Sequence, residues 1–339
     1  MRPKIVITHR IHAEVQQKLQ AAGDLITNET VAPWSPATLQ QHLHDATALM
    51  GFMTDRVDAE LLQQTPHLKI IACALKGYDS YDVDACTRAN IWLSIVPDLL
   101  TAPTAELAVG LAIALARQIR AADQYMRQLP YEGWRTHFYG QGLDQSTVGI
   151  IGMGQVGRAI AQRLQGFGCA RLLGFDPHPF IHPHVQHHDL TSILQQSDYL
   201  FLAAPLTETN RHMLDAETLK ACKPGQLIIN VGRGSVVDEL AVAELLQQGQ
   251  LGGYAADVYA CEDWALKNRP AGVPQALLES DKTLLTPHIG SAVQRVRLAI
   301  EHRAADNILA VLAGQAPADA INRVQTNTAP SAVPGVLMS

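Results

Sequence analysis

The chain has 339 residues, enough for two hydrophobic cores of ordinary size. Apolar residues make up 47% and charged residues 17%, which excludes a disordered chain. A net charge of −6 leaves no basic footprint for nucleic acid, and no uncharged apolar run approaches the roughly 20 residues of a membrane span.

The opening residues read as two charges and then a strand over Lys4–Thr8. The apolar run is too short for a signal peptide. The cysteines, at 73, 86, 169, 222 and 261, form no CxxC pair. They read as reduced, mostly buried thiols, and a cytoplasmic protein is expected. Helical patterns at 13–22, 37–45 and 58–64 alternate with apolar strands at 48–52, 70–74 and 91–95. That alternation predicts a parallel α/β layer, one domain over residues 1–98.

Pro97 and Pro103 bracket a boundary. One long helix is expected from about Thr104 to Arg127, with Pro103 in its first turn. It is apolar nearly all round until Arg117, so it must be buried. A subunit interface is preferred to an internal core. Residues 128–144 read as an aromatic loop, with Tyr131, Trp134, Phe138 and Tyr139 among glycines.

Residues Thr147 to Asp176 carry the most specific signal. A buried strand runs into Gly152-Met-Gly154-Gln155-Val156-Gly157, then a helical stretch, then a second strand, Arg171–Phe175, ending at Asp176. Gly152 allows a tight turn, Gly154 lets a pyrophosphate approach the backbone, and Gly157 lets helix and strand pack closely. The helix N-terminus offers unpaired N–H groups to phosphates. Asp176 can accept hydrogen bonds from ribose hydroxyls and would repel a 2′-phosphate, so NAD is expected in preference to NADP. Histidines recur after it, at 178, 182, 184, 187 and 188; protonated, they would let NADP be tolerated weakly. Their proline-broken spacing gives no ligand pattern, and no metal is expected.

Four further strands end at Pro205, at the turn Val231-Gly232-Arg233, at Asp257 and at His288. In an open parallel sheet ligands sit at such strand ends, so these residues should converge on one crevice. A helix from about Ala292 to Ala313 then returns the chain to the first domain. The expected organisation is a substrate domain over 1–98 and 292–322, a nucleotide domain over 99–291, and a tail over 323–339 that reads as a disordered end.

Two side chains carry chemistry. Arg233 lies between glycines and offers a planar, permanently charged fork to an oxyanion, unless it is simply a surface arginine. His288 can move a proton near neutral pH, unless it is structural. A carboxylate at Glu262 would orient it and stabilise its charged form, if the two are close.

The order of glycine turn, Arg233, Glu262 and His288 resembles the D-isomer-specific 2-hydroxyacid dehydrogenase family over nearly the whole chain to about residue 320. The resemblance implies a Rossmann-type dinucleotide domain, a split flavodoxin-like α/β substrate domain with a cleft between them, and a homodimer. It narrows to the phosphite-oxidising branch of that family on Gly51–Met53, Ala74–Asp79, Val96–Glu106, Arg233–Asp238, Glu262–Trp264 and His288–Ala292. Lys76 discriminates: a second cation beside the substrate suits a doubly charged oxyanion, whereas a solvated loop lysine would mean nothing. By that resemblance Arg233, Glu262 and His288 are catalytic. Lys76, Gly77, Arg233, Met53, Ser291, Trp134 and Tyr139 surround the substrate, although the two aromatics could equally be packing. Thr104, Gly152, Gly154, Gln155, Val156, Gly157, Asp176, Pro205, Val231, Gly232, Arg233, Asp257 and His288 contact NAD. The expected activity is oxidation of phosphite with NAD. Alternatives are a D-2-hydroxyacid dehydrogenase or glyoxylate/hydroxypyruvate reductase, and a dinucleotide sensor without turnover.

Overall fold

Two parallel sheets, one of five strands and one of seven, make up the computed structural model, which describes residues 2–128, 130–266 and 268–325. The first is built from β1 (Lys4–Ile7), β2 (Asp24–Thr27), β3 (Ala48–Gly51), β4 (Ile70–Cys73) and β5 (Trp92–Ser94). Its helices are α1 (Ala13–Ala22), α2 (Pro36–Leu43), α3 (Ala59–Gln63) and α4 (Val83–Arg88). The strand order is β2-β1-β3-β4-β5, the flavodoxin-like arrangement. β3 and β4 are buried throughout because helices cover both faces, which is why they read as continuous apolar runs.

Helices α5 (Thr101–Ala116) and α6 (Ile119–Gln128) then lead to the second sheet. Its strands are β6 (Thr147–Ile151), β7 (Arg171–Phe175), β8 (Gln186–His187), β9 (Tyr199–Leu202), β10 (Gln226–Asn230), β11 (Leu251–Ala256) and β12 (Thr283–Leu285). Between them run α7 (Gln155–Leu164), α8 (Leu190–Gln196), α9 (Ala216–Leu219), α10 (Glu239–Gln247) and α11 (Gln275–Glu279), and α12 (Gln294–Leu312) follows. The order β12-β11-β10-β9-β6-β7-β8 reverses direction between β6 and β9. That reversal opens a crevice at the carboxyl ends of the strands. Ile150, Phe201, Ile229 and Ala255 fill one face of this sheet against α5 and α7; fully burying one such large side chain contributes roughly 1.5–3 kcal/mol.

The single helix expected over 104–127 is two helices. Gln118 adopts φ 51°, a left-handed conformation that ends α5. Ala105, Ala108, Leu111 and Ala112 are buried within the chain, where α5 packs on α7, β10 and β11. α12 packs on α1, β3 and β4, so the end of the chain joins the first sheet. Ser94 and Ala320 form an antiparallel bridge beyond it, and Arg303 holds Asp319 with two hydrogen bonds. Most of the 323–339 tail, from 326 on, lies outside the described residues. Among those residues no helix is long and apolar enough to cross a membrane.

Candidate active site

The glycine turn after β6 is shaped by close approach. Gly152 has φ 92°, and a Cβ on it would lie 2.7–2.9 Å from the backbone of Ala203 and Ala204. A Cβ on Gly157 would lie 2.0 Å from the carbonyl oxygen of Gly152. At Gly154, by contrast, a Cβ would meet nothing within 4 Å, so the approach to that backbone is open. α7 starts at Gln155, and its first intrahelical hydrogen bond runs from Arg158 N to Gly154 O. The N–H groups of Gln155, Val156 and Gly157 therefore face outward unpaired by the helix, as an anion requires. At the end of β7, Asp176 accepts from Met153 N at 2.8 Å and His178 N at 2.9 Å. Each oxygen keeps a further lone pair for a hydroxyl donor. An open glycine, an unpaired helix terminus and a carboxylate across from them fit a dinucleotide.

The parallel registers bring the ends of β9, β10, β11 and β12 to the same edge, so Pro205, Val231, Gly232, Arg233, Asp257 and His288 line one crevice. Buried Asn230 shapes the β10 turn: Oδ1 accepts from Gly232 N at 3.1 Å and Nδ2 donates to Arg233 O at 3.0 Å. Asp257 is turned to the backbone. Its carboxylate accepts from Thr286 Oγ1 at 2.6 Å, Ile289 N at 2.7 Å and Gly290 N at 2.7 Å. Burial raises its pKa, and these bonds pull the other way. They also hold the 286–290 turn, in which His288 adopts φ 54°. Thr104 lies against the same turn, with Oγ1 3.1 Å from where a Cβ on Gly290 would sit.

His288 Nδ1 lies 2.9 Å from Glu262 Oε2, both side chains being about a third exposed (31% and 28%). With Nδ1–H donating to the carboxylate, Nε2 is left as the free nitrogen facing the cleft. The turn that carries Glu262 is anchored from behind. Asp263 Oδ2 accepts from Ser235 N at 2.7 Å, and Glu239 Oε1 accepts from Ala260 N at 2.9 Å. A Cβ on Gly234 would lie 1.8 Å from the Tyr259 carbonyl carbon, so the Arg233 and Glu262 turns pack back to back. Burial pushes the Glu239 carboxyl up to about 7, with Asp263, Glu262 and Asp238 adding to the shift.

Arg233 is 14% exposed. Its Nε donates to Asp79 Oδ2 at 2.7 Å and Nη1 to Gly232 O at 3.0 Å. A Cβ on Gly77 would lie 1.5 Å from Nη2, so the guanidinium fits only against glycine. Next to Gly77 in the chain, Lys76 Nζ donates to Gln155 Oε1. Burial lowers the pKa of that ammonium, and Asp98 opposes the shift. Met53, Asp79, Ser80, Leu206, Glu262 and Trp264 line the pocket beside them. Two cations, a histidine–carboxylate pair and a dinucleotide turn thus share one cleft.

The D-isomer specific 2-hydroxyacid dehydrogenase NAD binding domain matches residues 109–290. The glyoxylate reductase of Thermococcus litoralis is 32% identical over 97% of this chain and 100% of its own length. That of Pyrococcus furiosus is 31% identical over 95% and 96%. This chain belongs to the D-isomer specific 2-hydroxyacid dehydrogenase family. Among solved structures, the TT0316 protein from Thermus thermophilus aligns with a TM-score of 0.85, at 31% identity over 94% of this chain and 99% of that one. The NADPH-dependent glyoxylate/hydroxypyruvate reductase of Sinorhizobium meliloti, in complex with NADP and malonate, gives 0.81 at 29% identity, over 95% and 97%.

The two aromatics expected around the substrate are largely exposed within one chain. Trp134 is 74% exposed. Tyr139 is 77% exposed and borders a cavity of about 420 Å³ with Ala116, Gln118, Gly252 and Lys282. Those residues mark the amino ends of β11 and β12, the sheet edge opposite the cleft. Ser291 follows the His288 turn and is half-buried. Two charged residues near the site had no clear sequence signal. Asp79, quoted only as part of a turn, is the partner of Arg233. Arg297, in α12, is half-buried, over the Phe52 ring at 5.8 Å and 3.4 Å from Ala74 O.

Proposed function

We propose that this oxidoreductase oxidises phosphite to phosphate with NAD as acceptor. The observation that carries the reading is the pair of cations: Arg233, packed against Gly77, and its chain neighbour Lys76, bonded to Gln155 at the dinucleotide turn. A single arginine fork suffices for a carboxylate; a second cation suits a dianion. The names of the relatives favour a different substrate. They support reduction of glyoxylate or hydroxypyruvate, or oxidation of a D-2-hydroxyacid, better than they support phosphite. That is the second reading of the same site.

In the first reading phosphite, water and NAD give phosphate, NADH and a proton. Bound NAD supplies the acceptor for the P–H hydrogen and its electron pair. Arg233 and Lys76 hold the oxygens and offset their charge, so that a water oxygen can reach phosphorus. His288 Nε2 takes that water's proton, and Glu262 stabilises the imidazolium formed. In the second reading the same Nε2 gives a proton to a carbonyl oxygen as hydride reaches carbon. Purified enzyme incubated with NAD and phosphite, then with NADH and glyoxylate, decides between them. Phosphite oxidation is expected to exceed glyoxylate reduction in kcat/KM; the reverse order establishes the second reading. Activity with either removes a sensor without turnover.

NAD is proposed as the preferred cofactor because the Asp176 carboxylate would face a 2′-phosphate. Asp176→Ala should raise the NADP-to-NAD ratio of kcat/KM by about tenfold, some 1.4 kcal/mol. An unchanged ratio removes Asp176 from the ribose site. A homodimer is proposed for the exposed face around α6, where Ile119 and Met126 are half exposed and Tyr131, Trp134 and Tyr139 stand out from the next segment.

A further inference from the structure

Gln155 follows the second glycine of the fingerprint and is the first residue of α7. Its backbone N–H belongs to the anion-facing helix terminus. Its side chain does something else. Oε1 accepts from Lys76 Nζ, and from Thr101 Oγ1 at 3.3 Å. Lys76 belongs to the five-stranded unit and Gln155 to the seven-stranded one, so the contact spans the cleft.

A cation in this position is otherwise poorly served. It is partly buried, and it sits at the positive end of a helix. The charged group that acts on it is Asp98, beyond β5. Gln155 Oε1 is the hydrogen-bond acceptor that Lys76 uses among the described residues. A neutral amide oxygen holds an ammonium without neutralising it, so the charge stays available to an incoming anion.

We propose that Gln155 is a positioning residue for Lys76: across the cleft, its side-chain carbonyl keeps the ammonium over the dinucleotide turn, where it grips the substrate oxyanion. The inference rests on the oxyanion-gripping reading of Lys76 and Arg233 but on neither choice of oxyanion. It makes the residue after the second glycine a determinant of substrate affinity as well as a part of the cofactor seat.

The test is a double-mutant cycle in the full-length enzyme, using phosphite or glyoxylate, whichever is turned over, at saturating cofactor. Gln155→Met keeps side-chain length and removes the acceptor. It should raise the KM of the anion about five- to tenfold, with kcat and the cofactor KM changing less. Because the lost hydrogen bond favours the charged amine, the alkaline limb of kcat/KM should move to lower pH. Gln155→Glu, which keeps an acceptor but neutralises the ammonium, should raise the anion KM at least as much as Gln155→Met and weaken cofactor binding as well. In a Lys76→Met background the effect of Gln155→Met on the anion KM should vanish. An equal rise in that background, or a rise confined to the cofactor KM, overturns the proposal.

Should neither anion be turned over, the oxyanion reading fails on its own, and Lys76 itself decides the positioning role. Reductive methylation of the NAD-loaded enzyme, followed by peptide mass spectrometry, should label Lys76 at least about threefold faster in Gln155→Met than in the parent. Equal labelling overturns the proposal.

Discussion

Replacing His288 with alanine should lower kcat by about 10²- to 10⁴-fold, the range of general acid–base catalysis, while NAD binding is retained. The size follows from the geometry. Nδ1 is committed to Glu262 at 2.9 Å, which leaves Nε2 as the nitrogen that exchanges a proton with the reacting oxygen. The backbone offers a control for folding. His288 adopts φ 54°, where asparagine is tolerated better than alanine. His288→Asn should therefore unfold close to the parent temperature and yet be as inactive as His288→Ala. Full turnover in either variant, measured under initial-rate conditions, would remove the proton-transfer role.

Arg233→Ala should cost about 10²- to 10³-fold in kcat/KM, the scale for losing one preorganised donor to a charged group. Truncation also leaves Asp79 without its 2.7 Å partner in the cleft, a carboxylate that then repels the substrate. Arg233→Lys should rescue little. The guanidinium uses Nε for Asp79 and lies with Nη2 against Gly77, a fork that an ammonium cannot copy. Gly77→Ala should mimic part of the loss, because its Cβ would lie 1.5 Å from Nη2. Wild-type kcat/KM in Arg233→Lys would mean that a point charge is enough.

Those residues were legible from sequence because they end strands of one parallel sheet, and a parallel sheet brings its strand ends together. Pro205, Arg233, Asp257 and His288 are found at one edge for that reason. The helix at Ala13–Ala22 and the strand at Arg171–Phe175 were legible in the same way, from periodicity and a buried apolar run. Other features depend on distances that no pattern encodes. Asp79 pairs with Arg233 across 154 residues of sequence. Asp257, assigned to the cofactor by resemblance, spends three hydrogen bonds on its neighbouring turn. The break at Gln118 carries neither glycine nor proline, so the periodicity ran through it. β2 was missed because it is a short, half-buried edge strand with no apolar run of its own. Trp134 and Tyr139, placed near the substrate by resemblance, are largely exposed within one chain.

At the centre stands one physical claim, that Lys76 and Arg233 hold a small dianion whose hydrogen departs with its electron pair. Deuterium-labelled phosphite tests it most directly. With the purified enzyme, NAD and P-deuterated phosphite as sole reductant, the NADH formed should carry one deuterium, and Lys76→Met should raise the KM for phosphite far more than that for NAD. No deuterated NADH from phosphite, together with steady oxidation of NADH by glyoxylate, would contradict it.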